Sequence, residues 1–167
     1  MLDAKKIIEM FDLKPLPQEG GYYKESYRSD EVITADALPT RYAENKPLGS
    51  AIYYLLTPDT KSLMHKIKSD ETFHFYLGDP VEMLQLFADS TGKIVTLGSD
   101  VVTEQQVQLT VPRQTWQGSS LKKGGKFALM GTTIAPGFDF DDFILGKREV
   151  LIKQYPDFKN QIINLTR

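Results

Sequence analysis

His65 and His74 are the only histidines in the chain. They stand in one stretch, HKIKSDETFH, with Glu71 between them. Two imidazoles and a carboxylate make a ligand set for a divalent transition metal. The same groups suit proton transfer, because His titrates near neutrality and a partnered Glu can be tuned towards it. Spacing sets a geometric condition on either chemistry. In a strand, His65 shares a face with Leu63 and Ile67, which suits an inward position. Glu71 and His74 differ in parity, so a regular strand sends them to opposite faces. They meet in one pocket only if a bulge or the end of the Ser69-Asp70 turn intervenes.

Other segments carry candidate partners. In VPRQTWQG (111–118), Trp116 offers a flat apolar wall and Gln117 an amide with both donor and acceptor. Taken alone, they read as a packed indole and a surface amide. Gln85 shares a strand face with Met83 and Phe87, and an inward amide there needs a partner. In APGFDFDDF (135–143), Phe138, Phe140 and Phe143 are separated by Asp139, Asp141 and Asp142. Three acids have the charge to hold a cation. The stronger expectation is that the phenylalanines anchor a loop while the acids are solvated or cap it. The basic run Lys122–Lys126 has no interleaved aromatics and reads as a solvated hairpin tip.

The elements that must position these groups follow from composition and turn signals. The 167 residues are 41% hydrophobic and 25% charged, the balance of one soluble globular domain with a core of its own. A net charge of −2 gives no positive field for nucleic acid or anionic lipid. The absence of Cys excludes disulfides, thiolate metal sites and thiol catalysis. No apolar run approaches the roughly 20 residues of a membrane span. Met1–Phe11 carries Asp3 and Glu9 and is not a signal peptide, so the expected location is cytoplasmic.

Ala4–Phe11 has the apolar spacing of a short helix with Asp3 as N-cap. Leu16–Gly21 is a turn, Tyr22–Arg28 an aromatic-rich strand and Asp30–Pro47 an irregular loop. Short strands then recur over 50–57, 63–67, 72–77, 81–88, 94–97, 107–111 and 127–134, with a further short strand after Pro112. Closely spaced strands with turn residues between them predict an all-β sandwich or barrel. Residues 147–154 and 157–165 have helical spacing and are expected to pack outside it.

Four stretches, PQEGGYYKESYRS, MHKIKSDETFHFYLGDP, VPRQTWQGSS and APGFDFDDF, in that order, resemble the DUF985 branch (cupin-5) of the cupin superfamily. The resemblance implies one cupin domain over 1–167, a double-stranded β-helix or jelly roll with a pocket inside. It also implies a homodimer. In the superfamily's first metal motif, two His one residue apart precede a Glu and then a Gly. Here His65, Glu71 and Gly78 match, while Ile67 occupies the second His position. In the second motif a Pro and a Gly lead to a third His. Here Pro112 matches, Gln114 stands at the Gly and Gln117 at the His. This departure weakens a metal site made of His65, Glu71, His74 and Gln117, and no metal cofactor is assigned.

Three functions follow as expectations. The first is an enzyme on a small polar, carbohydrate-like ligand, with epimerase- or isomerase-like acid–base chemistry. Its catalytic residues would be His65, Glu71 and Tyr22, with Tyr23 or Tyr76 as the other phenols. His74, Gln117, Trp116, Gln85, Glu19 and Tyr76 would complete the ligand site. The second is a non-catalytic sensing domain. The third is a metal-dependent cupin with a degenerate centre. The link to sugars is fold-level analogy.

Overall fold

The computed structural model describes residues 2–167. Helix α1 (Ala4–Phe11) opens it, with the Asp3 carboxylate accepting from the Lys6 amide at 2.9 Å, as the sequence predicts. Strands β1 (Lys14–Pro15), β2 (Tyr22–Arg28), β3 (Val32–Ile33), β4 (Lys46–Pro47) and β5 (Ser50–Leu56) follow. Then come β6 (Ser62–Lys66), β7 (Glu71–Gly78), β8 (Val81–Leu86), β9 (Gly92–Leu97) and β10 (Gln108–Val111). Strands β11 (Trp116–Leu121), β12 (Ala128–Ile134) and β13 (Ile144–Leu145) precede α2 (Arg148–Gln154) and α3 (Lys159–Asn164).

The first sheet has the order β1-β2-β5-β12-β7-β10 and the second β13-β6-β11-β8-β9; β3 and β4 pair separately. From β5 to β8 the chain changes sheet at every strand, and again from β9 to β13. The turns that redirect it carry Pro58-Asp59, Gly78-Asp79-Pro80 and Pro112-Arg113, each with a proline that has no N–H to give a ladder. The result is the expected jelly-roll β-sandwich. One expectation is corrected here. Residues 122–126 do not form a hairpin tip; they join β11 in one sheet to β12 in the other. The turn is fixed by Asp79, whose carboxylate accepts from the Lys126 amide at 2.6 Å.

Alternation along the strands divides the interior in two. Tyr54 and Leu56 of β5, Phe73 and Phe75 of β7, and Ala128 and Met130 of β12 pack against Val81, Met83, Val95 and Leu97 of the second sheet. Towards the other end of the same strands, Ile52, Glu71, Thr132 and Ile134 line a cavity instead. Helices cover the outer faces. Ile7 of α1 packs with Leu55 and Leu129 on the first sheet. Leu151, Tyr155 and Ile162 of α2 and α3 pack with Met64, Leu84 and Leu86 on the second.

The turn before β2 is where backbone freedom is needed. Gly20 and Gly21 have φ of +104° and +73°, in the region that favours glycine. A Cβ on Gly21 would sit 2.8 Å from the Tyr54 hydroxyl, and one on Gly20 would strike the Lys61 carbonyl. Gly20→Ala is therefore expected to cost about 2–3 kcal/mol, read as a lower urea midpoint. The turn matters because it carries Glu19.

Candidate functional site

Three elements bring the polar groups together. Strand β6 contains a bulge: Gln117 of β11 faces His65 and Ser119 faces Ser62, so two residues on β6, Leu63 and Met64, lie opposite the single Gly118 on β11. The extra residue lets both Ser62 and His65 point into the sandwich. Gly118 permits this close passage, since a Cβ there would meet the Met64 sulfur at 2.8 Å. The His65 Nδ1–H donates to the Leu63 carbonyl at 2.7 Å, a contact made across the bulge. A carbonyl only accepts, so Nδ1 carries a hydrogen, and the neutral ring presents its lone pair at Nε2.

Gln117 is 1% exposed and ties the cluster together. Its Nε2 donates to Glu71 Oε2 at 2.6 Å and to His65 Nε2 at 3.3 Å. Its Oε1 is buried with no hydrogen-bond partner in the protein. Glu19 Oε1 accepts from the Ser62 hydroxyl at 2.7 Å, while Oε2 lies 3.9 Å from His65 Nε2. Phe143 stacks on the His65 imidazole, with centroids 5.0 Å apart and planes at 22°.

Glu71 is 7% exposed. Burial pushes its carboxyl above the ordinary glutamate value; Glu19 reinforces this, while a protonated His65 and the hydrogen bonds from Gln117 and Thr132 oppose it. An acid raised in the folded state favours folding while protonated and loses that contribution as pH rises through the raised value. Glu71→Gln keeps the shape and removes the ionisation. The variant is expected to melt above the wild type at mildly alkaline pH, with the gap closing on acidification. Parallel thermal scans across pH measure it. Burial likewise holds the Tyr54 phenol well above its usual range. It donates to the Gly20 carbonyl at 2.9 Å, bracing the Glu19 turn.

The cavity has a volume of about 230 Å³. Glu19, His65 and Glu71 form its polar end, and Gln117 lies behind them. Gln85, the cross-strand neighbour of Gln117, is fully buried, but its Nε2 finds only the Met83 sulfur at 3.6 Å, and it does not line the cavity.

Four expected site residues lie elsewhere. His74 points to the opposite side of the first sheet, between Thr133 Oγ1 at 3.0 Å and Gln108 Nε2 at 3.2 Å. The ladder from Glu71 to His74 against β10 is regular, so their parity separates them. Tyr76 follows the same parity and is half exposed. Tyr22 packs outward in the cluster under α1, and it is Tyr23 that lines the cavity. Trp116 packs under α2 and α3, with the Lys66 ammonium 4.8 Å from its ring centre.

The cavity also takes residues that the sequence reading did not place there. Glu25 and Arg28 line it, because a bulge between Glu25 and Tyr27 changes the parity of β2. Phe138, Phe140 and Phe143, expected to anchor the loop, also form a wall of the cavity. The acids beside them are not free for a cation. Asp142 is 2% exposed and lies 2.8 Å from Lys46 and 3.2 Å from Lys68. Asp139 is 3.5 Å from Lys46.

A family model described as "Cupin superfamily (DUF985)" matches residues 5–146. The chain belongs to this cupin family. Protein SO0799 of Shewanella oneidensis superimposes on it with a TM-score of 0.88 at 31% identity, covering 100% of this chain and 99% of that one. The uncharacterized protein YML079W of Saccharomyces cerevisiae is 27% identical over 143 residues, 80% of this chain and 71% of its own. Oxalate decarboxylase of Bacillus subtilis shares only the cupin fold, with a TM-score of 0.55, 16% identity and coverage of 93% of this chain and 37% of that one.

The donor set does not fit the metal of metal-binding cupins. Among the described residues, no three His, Asp or Glu side chains are grouped to hold an ion. Ile67 lines the cavity at a position where the superfamily's motif has a ligand. The Gln117 amide aims its N–H groups at the Glu71 and His65 atoms that would have to ligate.

Proposed function

We propose that this chain is a single-domain cupin enzyme of proton-transfer type, isomerase- or epimerase-like. Its substrate is a small molecule bearing hydroxyl or carbonyl groups, with a carbohydrate as one member of that class. The observation that carries the reading is the polar end of the cavity. There, an imidazole with its hydrogen fixed on Nδ1 and a buried acid with a raised pKa share one amide. Unlike titrating groups held side by side are what acid–base catalysis uses.

In this reading His65 Nε2 leaves its 3.3 Å contact with Gln117 and takes a proton from carbon next to a carbonyl. Glu71, whose neutral form burial favours, donates a hydrogen bond from that form to the carbonyl oxygen as charge builds there. Tyr23, on the first sheet, faces the second sheet that carries His65 and returns a proton from the other side. The test is hydrogen–deuterium exchange of candidate hydroxy-carbonyl compounds in D2O, followed by NMR. Exchange that depends on His65 supports the enzyme. Saturable binding without exchange replaces it with a sensing domain. The homodimer and the cytoplasmic location expected from the sequence belong to the same proposal, and light scattering after gel filtration measures the former. Among the described residues, no helix is long and apolar enough to cross a membrane.

A further inference from the structure

The walls of the cavity narrow the ligand class beyond the reaction type. The charged side chains on them are already ion-paired or hydrogen-bonded within the protein. The permanent cation among the lining residues is Arg28. Its Nε lies 3.1 and 3.0 Å from the two Glu25 oxygens, and its Nη2 donates to Glu25 at 2.7 Å and to the Phe138 carbonyl at 3.0 Å. Lys46 and Lys68, behind the 135–143 loop, are spent on Asp142 and Asp139. A phosphate or carboxylate entering here would meet Glu19, Glu25, Glu71 and Asp139 with no free cation to receive it. An ammonium group is not invited either. Glu25 and Asp139 are matched by Arg28 and Lys46, Glu19 is bonded to Ser62, and Glu71 is held towards its neutral form by burial.

The remaining wall is apolar. Phe138, Phe140 and Phe143 line it together with Ile52, Ile67 and Ile134. A sealed apolar cavity of about 150 Å³ is enough to bind benzene. The 230 Å³ found here holds a ring with a short polar head, and no nucleotide. A polyol with hydroxyls on every side would leave several of them against phenylalanine without partners.

We infer that the cavity binds an uncharged amphipathic molecule of about ring size, an alcohol, aldehyde or ketone whose apolar body lies on Phe138, Phe140 and Phe143 and whose oxygen reaches His65 and Glu71. Phosphorylated and nucleotide-linked compounds are excluded. The inference rests on the reading of this cavity as the ligand site, and it is independent of the acid–base roles assigned above.

The two histidines supply the test in the unaltered protein. His65 lines the cavity, while His74 lies on the outer side of the first sheet and serves as an internal control. Imidazole signals are followed by NMR during titration with benzyl alcohol, benzoate, benzylamine and glucose 1-phosphate. The first three share one ring and differ in charge. Benzyl alcohol is expected to shift His65 saturably and leave His74 in place. Benzoate and benzylamine are expected to need at least about tenfold higher concentration, and glucose 1-phosphate to leave His65 unmoved. The inference is overturned if a charged probe matches or outdoes benzyl alcohol, if no probe shifts His65, or if only His74 responds. Exchange chemistry found on an anionic substrate would sink the ligand class and spare the enzyme. Benzyl alcohol binding with no exchange on any compound would do the reverse.

Discussion

His65→Ala is expected to lower catalysed hydrogen exchange by about 10²- to 10⁴-fold, the usual contribution of a positioned general base. His74→Ala is expected to leave the rate at the wild-type level. The contrast is the point, because both residues were candidates on sequence grounds and the fold puts a sheet between them. His65 lines the cavity beside Glu19 and under Phe143. His74 answers to Thr133 and Gln108 on the far face. A second measurement separates chemistry from folding. His65→Ala deletes a ring that lies next to an existing cavity, so imidazole added to the solution has a place to enter. Partial recovery of exchange by free imidazole marks a lost base. Unchanged exchange in the untreated variant would remove His65 from the mechanism altogether.

Asp142→Ala is expected to destabilise the protein by about 3 kcal/mol, the low end of the cost of breaking a buried ion pair, because the Lys46 ammonium keeps only the more exposed Asp139 at 3.5 Å. At about 2–4 °C per kcal/mol for a chain of this size, the melting temperature falls by roughly 6–12 °C. Lys46 is 3% exposed and cannot turn to water when Asp142 is removed, whereas Lys68 is more open. The double variant Lys46→Met, Asp142→Leu is therefore expected to cost less than Asp142→Ala alone, since it removes the stranded ammonium together with its partner. Equal melting temperatures for the wild type and Asp142→Ala would show that the loop is held by its other bonds. Those include Gly137 N–H to the Pro47 carbonyl at 2.8 Å, Phe138 N–H to Ser50 Oγ at 3.0 Å and Arg28 Nη2 to the Phe138 carbonyl at 3.0 Å. The next residue is Phe143, so loosening the clamp also frees the ring that stacks on His65.

Local signals were strong where one element decided its own form. Tyr22–Arg28, Ala4–Phe11 and the Asp3 cap could be read directly, because alternation, helical spacing and capping chemistry are short-range. The site was legible in part. Parity alone separated Glu71 from His74, and only an irregularity in that strand would have reunited them. Strand β7 is regular from Glu71 to His74 and shifts register only beyond Phe75; the irregularity that shapes the site is on β6, where it brings Ser62 to the same side as His65. A bulge leaves no mark in composition, so its position could not be foreseen. Tyr22 and Tyr23 differ in no property a single sequence exposes, and a second bulge then brings Arg28 to the cavity. Nothing near Asp142 in the sequence marks it as buried, because the lysines that cover it come from β4 and from the turn after β6. Phe138, Phe140 and Phe143 were rightly seen as anchoring a loop. What they anchor against depends on which strands meet across the sandwich, which is tertiary information.

The helical layer over the second sheet has a consequence for biosynthesis. Met64, Leu84 and Leu86 depend for cover on Leu151, Tyr155, Ile162 and Leu165, which are translated long after them. The Met64 amide itself donates to the Leu165 carbonyl at 2.8 Å, and Lys61 Nζ to the Asn164 carbonyl at 2.9 Å. Until those last residues clear the ribosome, a nascent chain displays an oily sheet face and unsatisfied strand groups. For that interval it is a client for a chaperone rather than a finished protein.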